Sequence, residues 1–164
     1  MAKIFGINGY GKVQLGFPVN INDCDIKPFT VSSNSSYVPE SGIPFGALLT
    51  YTGTTQVYGT PDTLTELTSA DIAGIAVGTN VLLDRTFPQS LSGDAYQSGC
   101  AGNCLVRGEI AVKLTGDTPS EGDKVYFDVS ELAFTKTSTS NVECVGFKFS
   151  GITEGDVTVI NKLY

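Results

Sequence analysis

Apolar and polar positions along the chain fall into short alternating runs rather than helical stripes. The clearest run is 104–115. Val106, Gly108, Ile110, Val112 and Leu114 share one face, while Arg107, Glu109 and Lys113 share the other. Period two with one buried face predicts a β-strand, because a helix would scatter these residues around its circumference. The pattern returns in 124–129 through Val125, Phe127 and Val129, and in a short companion around Phe134. It returns again in 142–149 through Val145, Phe147 and Phe149, and in 157–164 through Val157, Val159 and Leu163. Earlier in the chain, 45–52, 55–60, 72–77 and 80–85 read as further short strands bounded by Gly or Pro. Leu64, Leu67 and Ile72 stand near helical spacing, so one short helix or turn is expected over 62–71, with Ser69-Ala70-Asp71 as its cap.

Turn chemistry separates these runs. Gly-Asp occurs at Gly93-Asp94, Gly116-Asp117, Gly122-Asp123 and Gly155-Asp156, and Glu precedes the last two. Glycine admits positive φ and aspartate bonds to nearby backbone, so these are turn signals. The acids among them lack EF-hand spacing, and no calcium site is expected.

Residues 1–45 break the pattern. They hold Gly6, Gly9, Gly11 and Gly16 and the polar run Ser32-Ser33-Asn34-Ser35-Ser36. Apolar side chains are nevertheless spread through them, including Ile4, Phe5, Ile7, Tyr10, Phe17 and Phe29. Such content is foreign to a disordered tail. An extended arm is expected over 1–45, with one short strand through Val13, Leu15, Phe17 and Val19. It buries its side chains against its own body, a sister subunit or an external partner. The body, 46–164, is expected to be a single compact all-β unit, an antiparallel barrel or sandwich of about eight to ten strands.

Composition supports this division. Among 164 residues there are 18 Thr, 14 Ser and 19 Gly, which favours strands and turns over helices. Charged residues are 16%, below the roughly 25% of ordinary soluble domains. Net charge is −7, so phosphate backbones and anionic membrane surfaces are repelled and no nucleic-acid or membrane partner is expected. No apolar run approaches the roughly 20 residues of a membrane helix. The first ten residues carry one positive charge and no sustained apolar stretch, so no secretion signal is expected and synthesis is assigned to the cytoplasm.

Candidate chemistry is sparse. Histidine is absent, which removes Ser-His-Asp and Cys-His nucleophile systems within the chain. There is no phosphate loop. Gly6, Gly9 and Gly11 lack the flanking strand and helix of a dinucleotide site. The acids Glu121, Asp123, Glu154 and Asp156 read as solvated turn residues. No catalytic residue, cofactor or metal is therefore expected. Of the four cysteines, Cys24 and Cys144 are isolated, which does not suit a zinc knuckle. Cys100 and Cys104 flank Ala-Gly-Asn, read as a tight turn that brings two thiols within reach of a disulfide, against free thiols in a reducing cytosol.

The order of several segments carries a family likeness. Ser69-Ala-Asp-Ile72 leads into Gly74-Ile-Ala-Val77, followed by Leu105-Val-Arg-Gly-Glu-Ile-Ala-Val112. Next come Gly122-Asp-Lys-Val-Tyr-Phe-Asp128, Leu132-Ala-Phe-Thr135 and Val145-Gly-Phe-Lys-Phe149. Over about 42–164 this succession resembles the structural cement, or decoration, proteins of tailed-bacteriophage capsids. The Gln97–Cys104 segment has no counterpart in that likeness. The resemblance implies a non-enzymatic virion protein on the outside of an HK97-type shell, holding capsomer junctions together as a dimer or trimer through contacts with the major capsid protein. On that reading Phe5, Tyr10, Phe17 and Phe29 are interface candidates, against the plainer role of covering the protein's own core. Two other classes compete. A receptor- or glycan-binding β module of a fibre or adhesin would need an exposed aromatic platform, although the chain has no Trp. A hydrolase would need facing carboxylates in a cleft.

Overall fold

The computed structural model describes residues 15–19, 24–31, 42–51, 57–59, 71–78, 95–97, 99 and 101–163. The expected helix or turn over 62–71, apart from Asp71, and the strand expected over 80–85 lie outside them, as do Phe5, Tyr10 and Cys100.

Eleven strands are described: β1 (Asp25–Val31), β2 (Ile43–Pro44), β3 (Leu48–Tyr51), β4 (Val57–Gly59), β5 (Ile72–Ala76), β6 (Ala95–Tyr96), β7 (Ala101–Lys113), β8 (Lys124–Asp128), β9 (Ala133–Thr135), β10 (Val142–Glu154) and β11 (Val157–Lys162). Nine form one sheet in the order β1-β4-β3-β5-β7-β11-β10-β8-β9, and β2 pairs with β6 in a small second sheet. All pairings are antiparallel except β1 with β4. The fold is all-β, and the sheet curls into a half-barrel. Both ends of the strand order return to β7. β1 pairs with β7 directly, from Asp25 opposite Arg107 to Thr30 opposite Ala101. At the other end, Leu114 and Phe134 form a parallel bridge, and the Thr115 amide donates to the Phe134 carbonyl at 2.9 Å.

β7 is therefore hydrogen-bonded along both margins. Its first half lies between β1 and β5. Its second half lies between β11 and residues 15–19. The latter dock through Gly16 N to Ala111 O (2.8 Å), Ala111 N to Phe17 O (3.2 Å) and Val19 N to Glu109 O (3.0 Å). Gly16 is required here. Its φ is +78°, and a Cβ would lie 2.4 Å from Phe45 Cβ. Residues 15–19 and 25–31, both within the expected arm, are thus part of the sheet.

The single alternation expected across β7 does not hold. Asp25 opposes Arg107 but Ile26 opposes Leu105, so Val106 is an extra residue, a β-bulge. The phase of the strand changes there. Leu105 joins the main core with Ile110, Val112, Leu114, Val125, Phe127, Phe134, Phe147 and Phe149. Cys104 and the partly buried Val106 face a second cluster containing Phe29, Val31, Phe45 and Tyr96. Ala111, with Val19 and Val159, forms a third. Buried side chains of β7 consequently lie on both of its faces, while Ala101, Asn103, Arg107 and Lys113 stay exposed.

β10 continues beyond the expected end at Phe149. Phe149 opposes Ile160 and Thr153 opposes Thr158, so β10 carries two more residues than β11 across that interval. Gly151, at φ +83°, allows the bulge. Thr158, fully buried, donates its hydroxyl to the Ile152 carbonyl (3.1 Å) and so satisfies the irregular backbone.

Candidate binding surfaces

Among the described residues no group of His, Cys, Asp or Glu is placed to hold a metal ion. The turn acids do structural work. Asp123 Oδ2 accepts the Ser120 amide at 2.8 Å. Asp128 Oδ1 accepts the Ser130 hydroxyl (2.6 Å), the Ser130 amide (2.9 Å) and the Glu131 amide (3.2 Å). The Ser130 hydroxyl, helped by the two amides, holds the Asp128 carboxyl below its usual range.

The cysteines are placed for packing. Residues 101–103 are extended β7 rather than a tight turn, and Cys104 is a buried free thiol. Cys144 is likewise buried and free, and burial pushes both thiols up to about 12. Such thiols are poor nucleophiles and poor ligands.

The two described arm aromatics sit against the protein itself. Phe29 is 4% exposed, and its ring meets Tyr96 edge-on at 5.4 Å. Phe17 is half-buried, meets Phe45 edge-on at 6.3 Å, and covers Gly78 so closely that a Cβ there would fall 2.6 Å from the ring. Tyr96 anchors this cluster, donating its hydroxyl to the Val77 carbonyl and accepting the Asn103 amide at 3.2 Å. Both rings thus serve the core.

Of the exposed large apolar side chains among the described residues, Leu15 (39%) belongs to the same N-terminal stretch and Tyr51 (44%) to β3, and the others lie further along the chain. Val145 (57%) and Leu163 (51%) stand close together, since the Leu163 amide donates to the Gly146 carbonyl at 3.0 Å. Val129 (37%) and Leu132 (46%) occupy the turn between β8 and β9. Leu132 has φ +51°, a left-handed conformation unusual for leucine. Beside the turn is a cleft of about 640 Å³ lined by Thr115, Asp128, Val129, Thr137, Ser140 and Asn141, among others. Ser140 is also left-handed, at φ +62°. The alternation of 124–129 places Val129 in a strand, so sequence reasoning missed this turn. The available signal was Asp128-Val-Ser-Glu, whose first residue can cap the following amides.

No curated protein matches the sequence. Among solved structures, the chain is similar to one in "The capsid of Myoviridae Phage XM1" at 16% identity and a TM-score of 0.64, covering 99% of this chain and 92% of that one. At this identity the likeness speaks for the fold. The family model described as "Structural cement protein (E217 gp24/Pam3 gp6)" matches residues 10–162. That span takes in all eleven strands and both ends of the curled sheet, so the chain belongs to the phage structural cement protein family.

Proposed function

We propose that the protein binds the outer face of an HK97-type phage shell, in contact with the major capsid protein, and stabilises junctions between capsomers as a dimer or trimer. The observation that carries this is the family match across nearly the whole chain. The fold supports it physically. A sheet tied at both ends to one doubly flanked strand is a stiff body, suited to holding neighbours at a fixed separation. Many weak contacts repeated at symmetric positions then add through multivalency. The family is structural rather than an enzyme class.

The N-terminal segment is assigned a share of the contact. Phe29 is buried in the core, and Phe5, Tyr10 and the half-buried Phe17 are the segment's interface candidates.

The test is decoration. Purified protein is mixed with expanded empty shells and imaged by electron microscopy. Ordered density at capsomer junctions is expected. Shells that stay bare at saturating protein refute the proposal. A variant lacking residues 1–14 should melt like the full chain and decorate less. Equal decoration would remove the arm from the interface.

A further inference from the structure

We propose that the β8–β9 turn and the cleft beside it form the surface on which a loop of the shell subunit docks. This rests on the cement reading above and names the contact through which it acts.

Three observations converge on this end of the molecule. First, Val129 and Leu132 are exposed apolar side chains within one short turn. Second, the turn is fixed before any partner arrives, because Asp128 Oδ1 accepts three hydrogen bonds from Ser130 and Glu131. A knob held rigid loses little freedom on binding. Third, the described residues include two non-glycine positions in the left-handed region, Leu132 and Ser140. One is on the turn and the other lines the adjoining cleft. Strained backbone of this kind gathers where a side chain must be held in a particular direction.

The chemistry of the cleft selects the occupant. Its lining offers hydroxyls from Thr115, Thr137 and Ser140, an amide from Asn141, and the Asp128 carboxylate. Among the described residues no aromatic ring lines it, so a sugar finds no stacking platform there. Among the described residues no lysine or arginine lines it either, so a phosphate finds no counter-charge there. Hydroxyls and one carboxylate suit the amides of a neutral or basic polypeptide loop. Val129 belongs to both the turn and the cleft wall, so one partner segment can cover both.

The test compares the wild type with Leu132→Asn and Thr139→Arg in titrations onto expanded empty shells, counting bound copies by sedimentation. Asparagine adopts the left-handed conformation readily, so Leu132→Asn keeps the turn and removes the knob. Thr139→Arg places a bulky cation in the cleft lining. Each variant is expected to bind about tenfold more weakly without a lower melting temperature. If the wild type binds and both variants bind within about twofold of it, the docking surface is overturned while the cement reading stands. Failure of the wild type to bind overturns the cement reading itself. If light scattering shows that the variants lose binding because they no longer self-associate, the turn joins copies of this chain and the proposal is also overturned.

Discussion

Gly74 sits on β5 beside its antiparallel neighbour β7, and replacing it with alanine tests how tightly the two strands are apposed. A Cβ at this position would lie 2.3 Å from the Leu105 carbonyl oxygen and 2.5 Å from Cys104 Sγ. The first contact is with backbone of the central strand, which cannot rotate away. Elsewhere, a glycine whose φ suits any residue gains about 0.4–1 kcal/mol on becoming alanine, through the unfolded chain. Here overpacking dominates and costs about 1–3 kcal/mol or somewhat more, because the obstacle is main chain. The net expectation is a loss of about 1–2 kcal/mol. For a chain of this size that lowers Tm by about 2–8 °C. Thermal and urea melts followed by circular dichroism read the change. The double variant Gly74→Ala/Cys104→Ala separates the two contacts, since it removes the sulfur but leaves the carbonyl. It should recover less than half of the loss specific to Gly74→Ala. A Gly74→Ala protein melting at or above the wild type would refute the apposition of β5 on β7. Full recovery in the double variant would assign the clash to sulfur alone.

Tyr96→Phe removes the hydroxyl that joins Val77 O and Asn103 N, and should cost about 1–3 kcal/mol in urea melts. Phe134→Ala empties a buried site against Phe127, whose ring centre is 5.1 Å away, and should cost about 3–5 kcal/mol. Glu143→Gln breaks the exposed 3.0 Å ion pair with Lys124 and should leave the urea midpoint unchanged, because solvent screens the pair. Alkaline pH is a further check. Cys104 and Cys144 have folded pKa values of about 12 against an ordinary 9.0, so the folded state retains protons that the unfolded state releases. Their stabilisation is complete below pH 9 and is lost as pH rises towards 12. Tyr96, also raised by burial, acts in the same direction, whereas Lys162, lowered by burial, opposes them. Melts across this range should therefore fall with pH, and less steeply in Cys144→Ala. Both thiols should resist alkylation at pH 8 until the protein is unfolded.

The body of the fold was legible where one face of a strand is buried and the other wet. β8 follows from alternation alone, whereas β9 and β11 were legible as strands although Ala133–Thr135 and Thr158–Ile160 are buried without a break. β7 was legible as a strand but not in its phase, because the bulge at Val106 transfers the buried set from one face to the other. Alternation cannot register a residue that has no opposite number. β10 was cut short at Phe149 because Ser150-Gly151 resembles a turn, whereas the strand absorbs it as a bulge. β1 escaped notice because Pro28 interrupts it and most of its side chains are exposed or half-buried. Its partner is β7, far along the chain, and no local pattern announces such a pairing. The same distance hid the burial of Phe29. The tip at Val129–Leu132 was invisible for the opposite reason. Its apolar residues continue the strand's rhythm, and only the backbone shows that the chain has already turned.

The flanking of β7 on both margins has a mechanical consequence. A force directed along this strand loads many amide-to-carbonyl links at once, in shear, whereas a hairpin pulled at its open end yields link by link. Tension from an expanding container would therefore meet its greatest resistance along this axis. Amide protons near Leu105 and Ile110 should be the last in the molecule to exchange with deuterium.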